Sequence, residues 1–166
     1  EGGVISGEQF VDECQVESDL ELLLPATYVT GSSERMLLYR ELDSLTLDKD
    51  VEAFRNRLID RFGPVPSETE ELLRIVPLRR LAARLGAEKV FLKGGRMSLF
   101  FISNPESPYY QSQAFGKVIA YMMKYTRRCD LREQNTRRSM LVKDVKNVET
   151  AVGVLQEIVA MQVEEG

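Results

Sequence analysis

The stretch Leu58-Ile59-Asp60-Arg61-Phe62-Gly63-Pro64-Val65-Pro66 constrains this chain more than any other. Val51, Phe54, Leu58 and Phe62 recur at helical spacing and predict an amphipathic helix over 49–62, capped by Asp48. Gly63 can adopt the left-handed conformation that closes a helix, and Pro64 cannot continue it. Ser67, with Glu70 three residues on, has the form of a capping box opening a second helix over 68–85. The chain must therefore turn a helix–helix corner at residues 63–66. Such corners are common and carry no function by themselves.

The rest of the pattern alternates helices with short strands. Residues 8–21 are acidic, and Phe10, Val11 and Cys14 suggest a short helix. Leu20, Leu22 and Leu24 alternate and read as a strand stopped by Pro25. Ser33 is placed to cap a helix running through Met36, Leu38, Tyr39 and Leu42 to about Ser44. The 68–85 helix starts acidic and ends basic, which suits the helix dipole. Pro77 inside it predicts a kink or a break, and Gly86 closes it. Lys89–Leu92 and Met97–Phe101 flank Gly94-Gly95, a hairpin signal. A helix is expected over 111–125, and a second hairpin around Gln134-Asn135-Thr136. Asn147 caps a last helix with a stripe of Val148, Ala151, Val152, Leu155, Ile158 and Val159. The expected fold class is α+β: one domain, with several helices packed on small antiparallel sheet or hairpin elements.

Composition excludes several functions. The chain has 166 residues, 43% of them hydrophobic, enough for a sizeable core. It has no histidine, which removes Ser-His-Asp and Cys-His catalysis. The two cysteines, Cys14 and Cys129, form no CxxC and suggest reduced thiols in a cytoplasmic setting. No Walker A lysine or GxSxG nucleophile motif is present. Asp43, Asp48, Asp50 and Glu52 match no EF-hand spacing and read as capping or solvated groups. No cofactor site is expected. No apolar run is long enough to span a membrane, and no leader pattern precedes the domain. The absence of an initial Met suggests a fragment of something longer.

The net charge of −4 argues against a dedicated polyanion binder. One segment runs the other way. From Lys124 to Lys143 there are seven Lys or Arg against two carboxylates. Arg127, Arg128, Arg132, Arg137 and Arg138, with Tyr121 and Tyr125 nearby, either contact nucleic acid or decorate a solvated hairpin whose alternation splits them between two faces.

Leu58-x-Asp60-Arg61-Phe62-Gly63-x-x-Pro66, preceded by Pro25-x-x-Tyr28-Val29 and Arg35-Met36-x-Leu38-Tyr39, resembles the C-terminal (TRCF) domain of the bacterial transcription-repair coupling factors, the Mfd family. The resemblance runs from about Val16 to about Ala160 and is strongest over 25–85. It implies that residues 1–15 are a linker or the end of a preceding domain, and that 16–166 form a non-catalytic regulatory domain. In that family the ATPase motor, with its ATP and Mg, and the modules for RNA polymerase and DNA lie upstream. The C-terminal domain folds back on a UvrB-like N-terminal module and covers the surface that recruits UvrA. The resemblance makes the helix ending in the motif the docking face, with Asp60 pairing with an arginine of the covered module. Arg61 and Leu58 share that corner, Leu58 as a contact or as plain core. The family usually places Glu before the motif's Leu; here Arg57 stands there, which removes or reverses one ion pair.

Overall fold

A computed structural model describes residues 10–163. Its elements are β1 (Gln15–Ser18), α1 (Ser32–Ser44), α2 (Asp48–Phe62), α3 (Ser67–Arg84), β2 (Ala87–Lys93) and β3 (Arg96–Phe101). A 3₁₀ turn (Pro108–Gln111), α4 (Gln113–Lys124), β4 (Cys129–Gln134), β5 (Arg137–Val142) and α5 (Val148–Val159) follow. The α+β class stands. The two hairpins do not remain separate: they join in one five-stranded sheet of order β1-β2-β3-β5-β4. β1 is parallel to β2 and the other pairings are antiparallel.

Both hairpin turns form where the sequence places them. Gly94 and Gly95 have φ of 63° and 74°, and Asn135 and Thr136 have φ of 53° and 64°. Left-handed residues at both central positions give the turn whose twist matches that of the strands.

Register separates the sheet into two faces. Val90, Leu92, Met97, Leu99, Met140 and Val142 point to one side and are buried. α3, α4 and α5 pack there, contributing Leu78, Leu81, Val118, Tyr121, Leu155 and Ile158 to one core. A second core lies among α1, α2 and the first half of α3, where Leu42, Phe54, Leu58, Leu73 and Val76 meet Leu24 and Val29. α3 serves both cores, which is why apolar side chains cover more than one face of it.

Several local expectations fail for identifiable reasons. The strand is Gln15–Ser18, not Leu20–Leu24. Val16 and Ser18 register with Val90 and Leu92, whereas the leucines run past the sheet to bridge the two cores. No helix forms around Phe10, Val11 and Cys14; Val11 and Cys14 are buried in the sheet core on irregular, bent chain. Of the acidic run 8–21, residues 8 and 9 lie outside the described residues.

The caps also differ. Gly31, Leu47 and Pro66 occupy the cap positions of α1, α2 and α3, none with a side-chain cap bond, so Ser33, Asp48 and Ser67 fall inside the first turns. Asp48 pairs with Arg80 at 2.8 Å. Glu70 does not close a capping box, because Arg55 takes its carboxylate at 2.7 and 3.0 Å. A two-pronged guanidinium contact is stronger than a neutral backbone cap. α3 runs unbroken through Pro77, since packing on both flanks outweighs one missing amide. Asn147 does cap α5, accepting from the Thr150 amide at 2.7 Å. Glu71 reaches across from α3 to accept from the Val148 and Glu149 amides at the same helix end.

Candidate functional site: a groove between the first two helices

The corner motif is held from below by the segment that precedes α1. Residues 25–29 form a turn in which the Pro25 carbonyl accepts from the Tyr28 and Val29 amides. That turn places the Tyr28 hydroxyl 2.7 Å from the Gly63 carbonyl and 3.2 Å from that of Leu58. The Tyr28 ring packs on Phe62 at 5.6 Å. Arg35 donates to the Val29 carbonyl at 2.7 Å, and the Leu24 amide donates to the Tyr39 hydroxyl at 2.7 Å. The three sequence blocks that looked separate are thus one bonded unit.

Gly63 has φ of 93° and ends α2. Above it, Leu38 and Glu34 of α1 face Phe54, Arg57, Leu58, Asp60, Arg61 and Phe62 of α2 across a groove of about 260 Å³. Its floor is apolar and its rim is charged. Arg61 pairs with Glu34 at 2.6 Å, and Arg57 pairs with Glu41. Both arginines also lie over rings, Arg57 over Phe54 at 5.4 Å and Arg61 over Phe62 at 5.3 Å.

Asp60 differs from its neighbours. It is exposed at the groove and has no ion-pair partner among the described residues, whereas Glu34 and Glu41 are both neutralised. Leu58 is 1% exposed and is a core residue, so its sequence neighbours and not its own surface present the site. Phe62 is half-buried and staples the corner through Tyr28. Sequence reading missed Glu34, Glu41 and Leu38 as parts of this site; the i, i+4 spacing of Glu34 and Leu38 placed them on one face of α1 but gave no sign of what that face meets.

The arginines of the 124–143 stretch do not converge. Arg128 ties the α4–β4 turn to the end of β5, donating to the Lys143 carbonyl at 3.0 Å and lying 3.4 Å from the Tyr121 hydroxyl. Arg138 points to the helical side of the sheet, 4.3 Å from the centre of the Tyr110 ring. Arg132 and Arg137 lie on the other side, paired with Asp130 at 3.0 Å and Glu88 at 3.1 Å. Arg127 is exposed in the turn before β4.

Neither thiol is poised for chemistry. Burial pushes Cys14 up to about 12 despite nearby Arg79, and raises Cys129 as well. A thiol held protonated is a poor nucleophile. Asp43 pairs with Arg79, and no group of three or more His, Cys, Asp or Glu suited to a metal occurs among the described residues. No helix among them is long and apolar enough to cross a membrane.

Comparison with known proteins matches this architecture. The profile of the TRCF domain matches residues 18–112, which contain both the 25–29 turn and the groove. The transcription-repair-coupling factor of Rickettsia bellii is 30% identical over 132 residues, covering 79% of this chain and 11% of that protein. That of Staphylococcus haemolyticus is 25% identical over 131 residues, covering 75% of this chain and 11% of the relative. The chain thus spans about a ninth of the length of these relatives. A crystal structure of the C-terminal domain of a transcription-repair coupling factor superposes with a TM-score of 0.67 at 17% identity, covering 89% of this chain and 93% of that one, and it shares the fold. With the family profile spanning more than half the chain and the three motif blocks bonded into one unit, the chain belongs to the TRCF domain family found in transcription-repair coupling factors.

Proposed function

We propose that this domain is the non-catalytic clamp of a cytoplasmic transcription-repair coupling factor. Its α1–α2 groove docks on the UvrB-like N-terminal module of the same protein and masks the surface that module offers to UvrA. The ATP- and Mg-dependent motor and the contacts to RNA polymerase and DNA belong to the rest of that protein. The observation that carries the reading is Asp60, a carboxylate at an apolar groove that the domain's own arginines leave unpaired. A partner arginine over an apolar contact would complete it.

Because partner and clamp share one chain, weak docking suffices. A tether supplies an effective concentration of up to about 1 mM, so a contact of about 10 μM in trans keeps the clamp closed roughly 99% of the time. The test is calorimetric titration of this domain with the isolated UvrB-like module of its parent protein. Micromolar binding that weakens with salt is expected. Binding that is nanomolar and indifferent to salt, or no binding when the two modules are tethered, contradicts the clamp.

A further inference from the structure

The face of the sheet away from the helices has a composition that the clamp does not use. Register places Lys89, Phe91 and Lys93 of β2 beside Arg96, Ser98 and Phe100 of β3, with Arg137, Ser139 and Leu141 of β5 next in order. Phe91, Phe100 and Leu141 belong to neither core, and α3, α4 and α5 all lie on the opposite face. Phe91 and Phe100 remain partly exposed on neighbouring strands, their ring centres 5.2 Å apart.

Cations surround the two rings. Lys89 and Lys93 lie 5.9 and 5.1 Å from the Phe91 ring, and the Arg137 guanidinium lies 5.7 Å from that of Phe100. Arg137 Nε is buried there and has no acceptor among the described residues. Arg96 is exposed at the β2–β3 turn and, like Lys89, forms no ion pair among the described residues. Three of the five cations on this face, Lys93, Arg132 and Arg137, pair with Glu17, Asp130 and Glu88, while Lys89 and Arg96 form no ion pair among the described residues; Asp12, Glu13 and Asp19 lie at its edges.

We propose that this sheet face binds single-stranded nucleic acid, with Phe91 and Phe100 as a stacking platform and Lys89, Lys93, Arg96 and Arg137 as phosphate contacts. Two aromatics on adjacent central strands of a sheet face that no described helix covers present flat surfaces to successive unstacked bases. A duplex keeps its bases stacked and cannot use them. The cations now over the rings do not oppose this. A cation–π contact at an exposed site is weaker than a stacked base, and each cation displaced from a ring gains a phosphate instead. An acidic peptide would satisfy the charges but leave the rings without a flat partner. This site is built from other elements than the α1–α2 groove and does not depend on the clamp.

The test is fluorescence anisotropy of the 166-residue domain with labelled oligothymidylate and oligouridylate of about 10 nucleotides, against a duplex of equal length and an oligoglutamate. Expected is micromolar binding of one or both single strands at about 20 mM salt, weaker by about two orders of magnitude or more at about 200 mM, with the duplex and the oligoglutamate bound at least fivefold more weakly. The two single strands separate DNA from RNA as the ligand. Phe91→Leu with Phe100→Leu keeps an apolar surface and removes the stacking, and should weaken binding about 5- to 150-fold for each ring that carries a base. Arg96→Gln touches no core contact and should lower the salt slope by about 0.7. Asp60→Arg should change nothing. The proposal is overturned by no anisotropy change at about 100 μM protein, by equal affinity for oligoglutamate, or by binding that survives the Phe and Arg96 changes and disappears on Arg127→Ala.

Discussion

The hydroxyl of Tyr28 donates its proton to the carbonyl of Gly63, 2.7 Å away, and so joins two parts of the chain that are 35 residues apart. Gly63 is the residue where α2 stops, so this bond fixes the direction in which the chain leaves the helix. The hydroxyl stays protonated over a wide range, because burial raises it and the Glu70 carboxylate adds to the effect. Tyr28→Phe keeps the ring on Phe62 and removes only the bond. It should cost about 1 kcal/mol in urea unfolding, with an unchanged denaturant slope. A loss within error would show that water serves the Gly63 carbonyl equally well.

Gly86 is a second point where the backbone has no alternative. It sits at φ of 87°, and an added Cβ would lie 2.1 Å from a ring carbon of Tyr109. Tyr109 cannot withdraw: it is fully buried, and its hydroxyl donates to the Leu85 carbonyl at 2.5 Å. Gly86→Ala should therefore cost roughly 3 kcal/mol or more, combining left-handed strain with overpacking. Calorimetric melting would register this as a drop of more than about 6 °C for a domain of this size. A melting temperature within a degree or two of the parent would place the Tyr109 ring elsewhere.

Alkaline pH should loosen the sheet core. Cys14 is raised from 9.0 to about 12 by burial, and Tyr121 from 10.0 to about 12 by burial above all. The folded state therefore holds protons that the unfolded chain releases, and stability falls as pH rises. The contribution of Cys14 is complete below pH 9 and is lost between 9 and about 12. Melting temperature should be flat from pH 7 to pH 9 and decline above it. Cys14→Ala should make the decline above pH 9 shallower, leaving Cys129 to act there until the tyrosines take over nearer pH 10. A decline unchanged in Cys14→Ala would mean that this thiol does not titrate with unfolding.

What the sequence revealed follows from the range of the forces involved. The Gly94-Gly95 turn, the Gly63 stop and the Asn147 cap are set by residues within a few positions, and each formed as expected. The failures involve distant partners. Glu70 left its capping box for Arg55 on another helix, and Asp48 answered Arg80. Leucines 20, 22 and 24 show the spacing of a strand, yet the strand forms where Val16 can meet Val90. The candidate site divides in the same way. Asp60, Arg57 and Arg61 are legible in the motif, but Glu34, Glu41 and the groove depend on how α1 lies against α2. The five arginines of the basic stretch look like one patch in one dimension and scatter in three.

The charge pattern of the groove yields the last prediction. Asp60 lies in the final turn of α2, where the helix dipole disfavours a carboxylate. Asp60→Arg should leave the melting temperature unchanged or raise it slightly, by no more than about 0.5 kcal/mol in stability. If Asp60 meets a partner cation, the same change should weaken docking on the UvrB-like module about tenfold or more, with Asp60→Asn in between. Arg57→Glu works in the opposite direction. It breaks the exposed pair with Glu41 at a cost of less than about 1 kcal/mol, and it places a second carboxylate beside Asp60. Docking should then tighten, about threefold at low salt, and the gain should shrink as salt rises. Titration of the three variants against one module decides the matter. Opposite signs for the changes at 60 and 57 would show a cationic partner over the groove; the same sign, or loss of cooperative melting in Asp60→Arg, would make these residues structural.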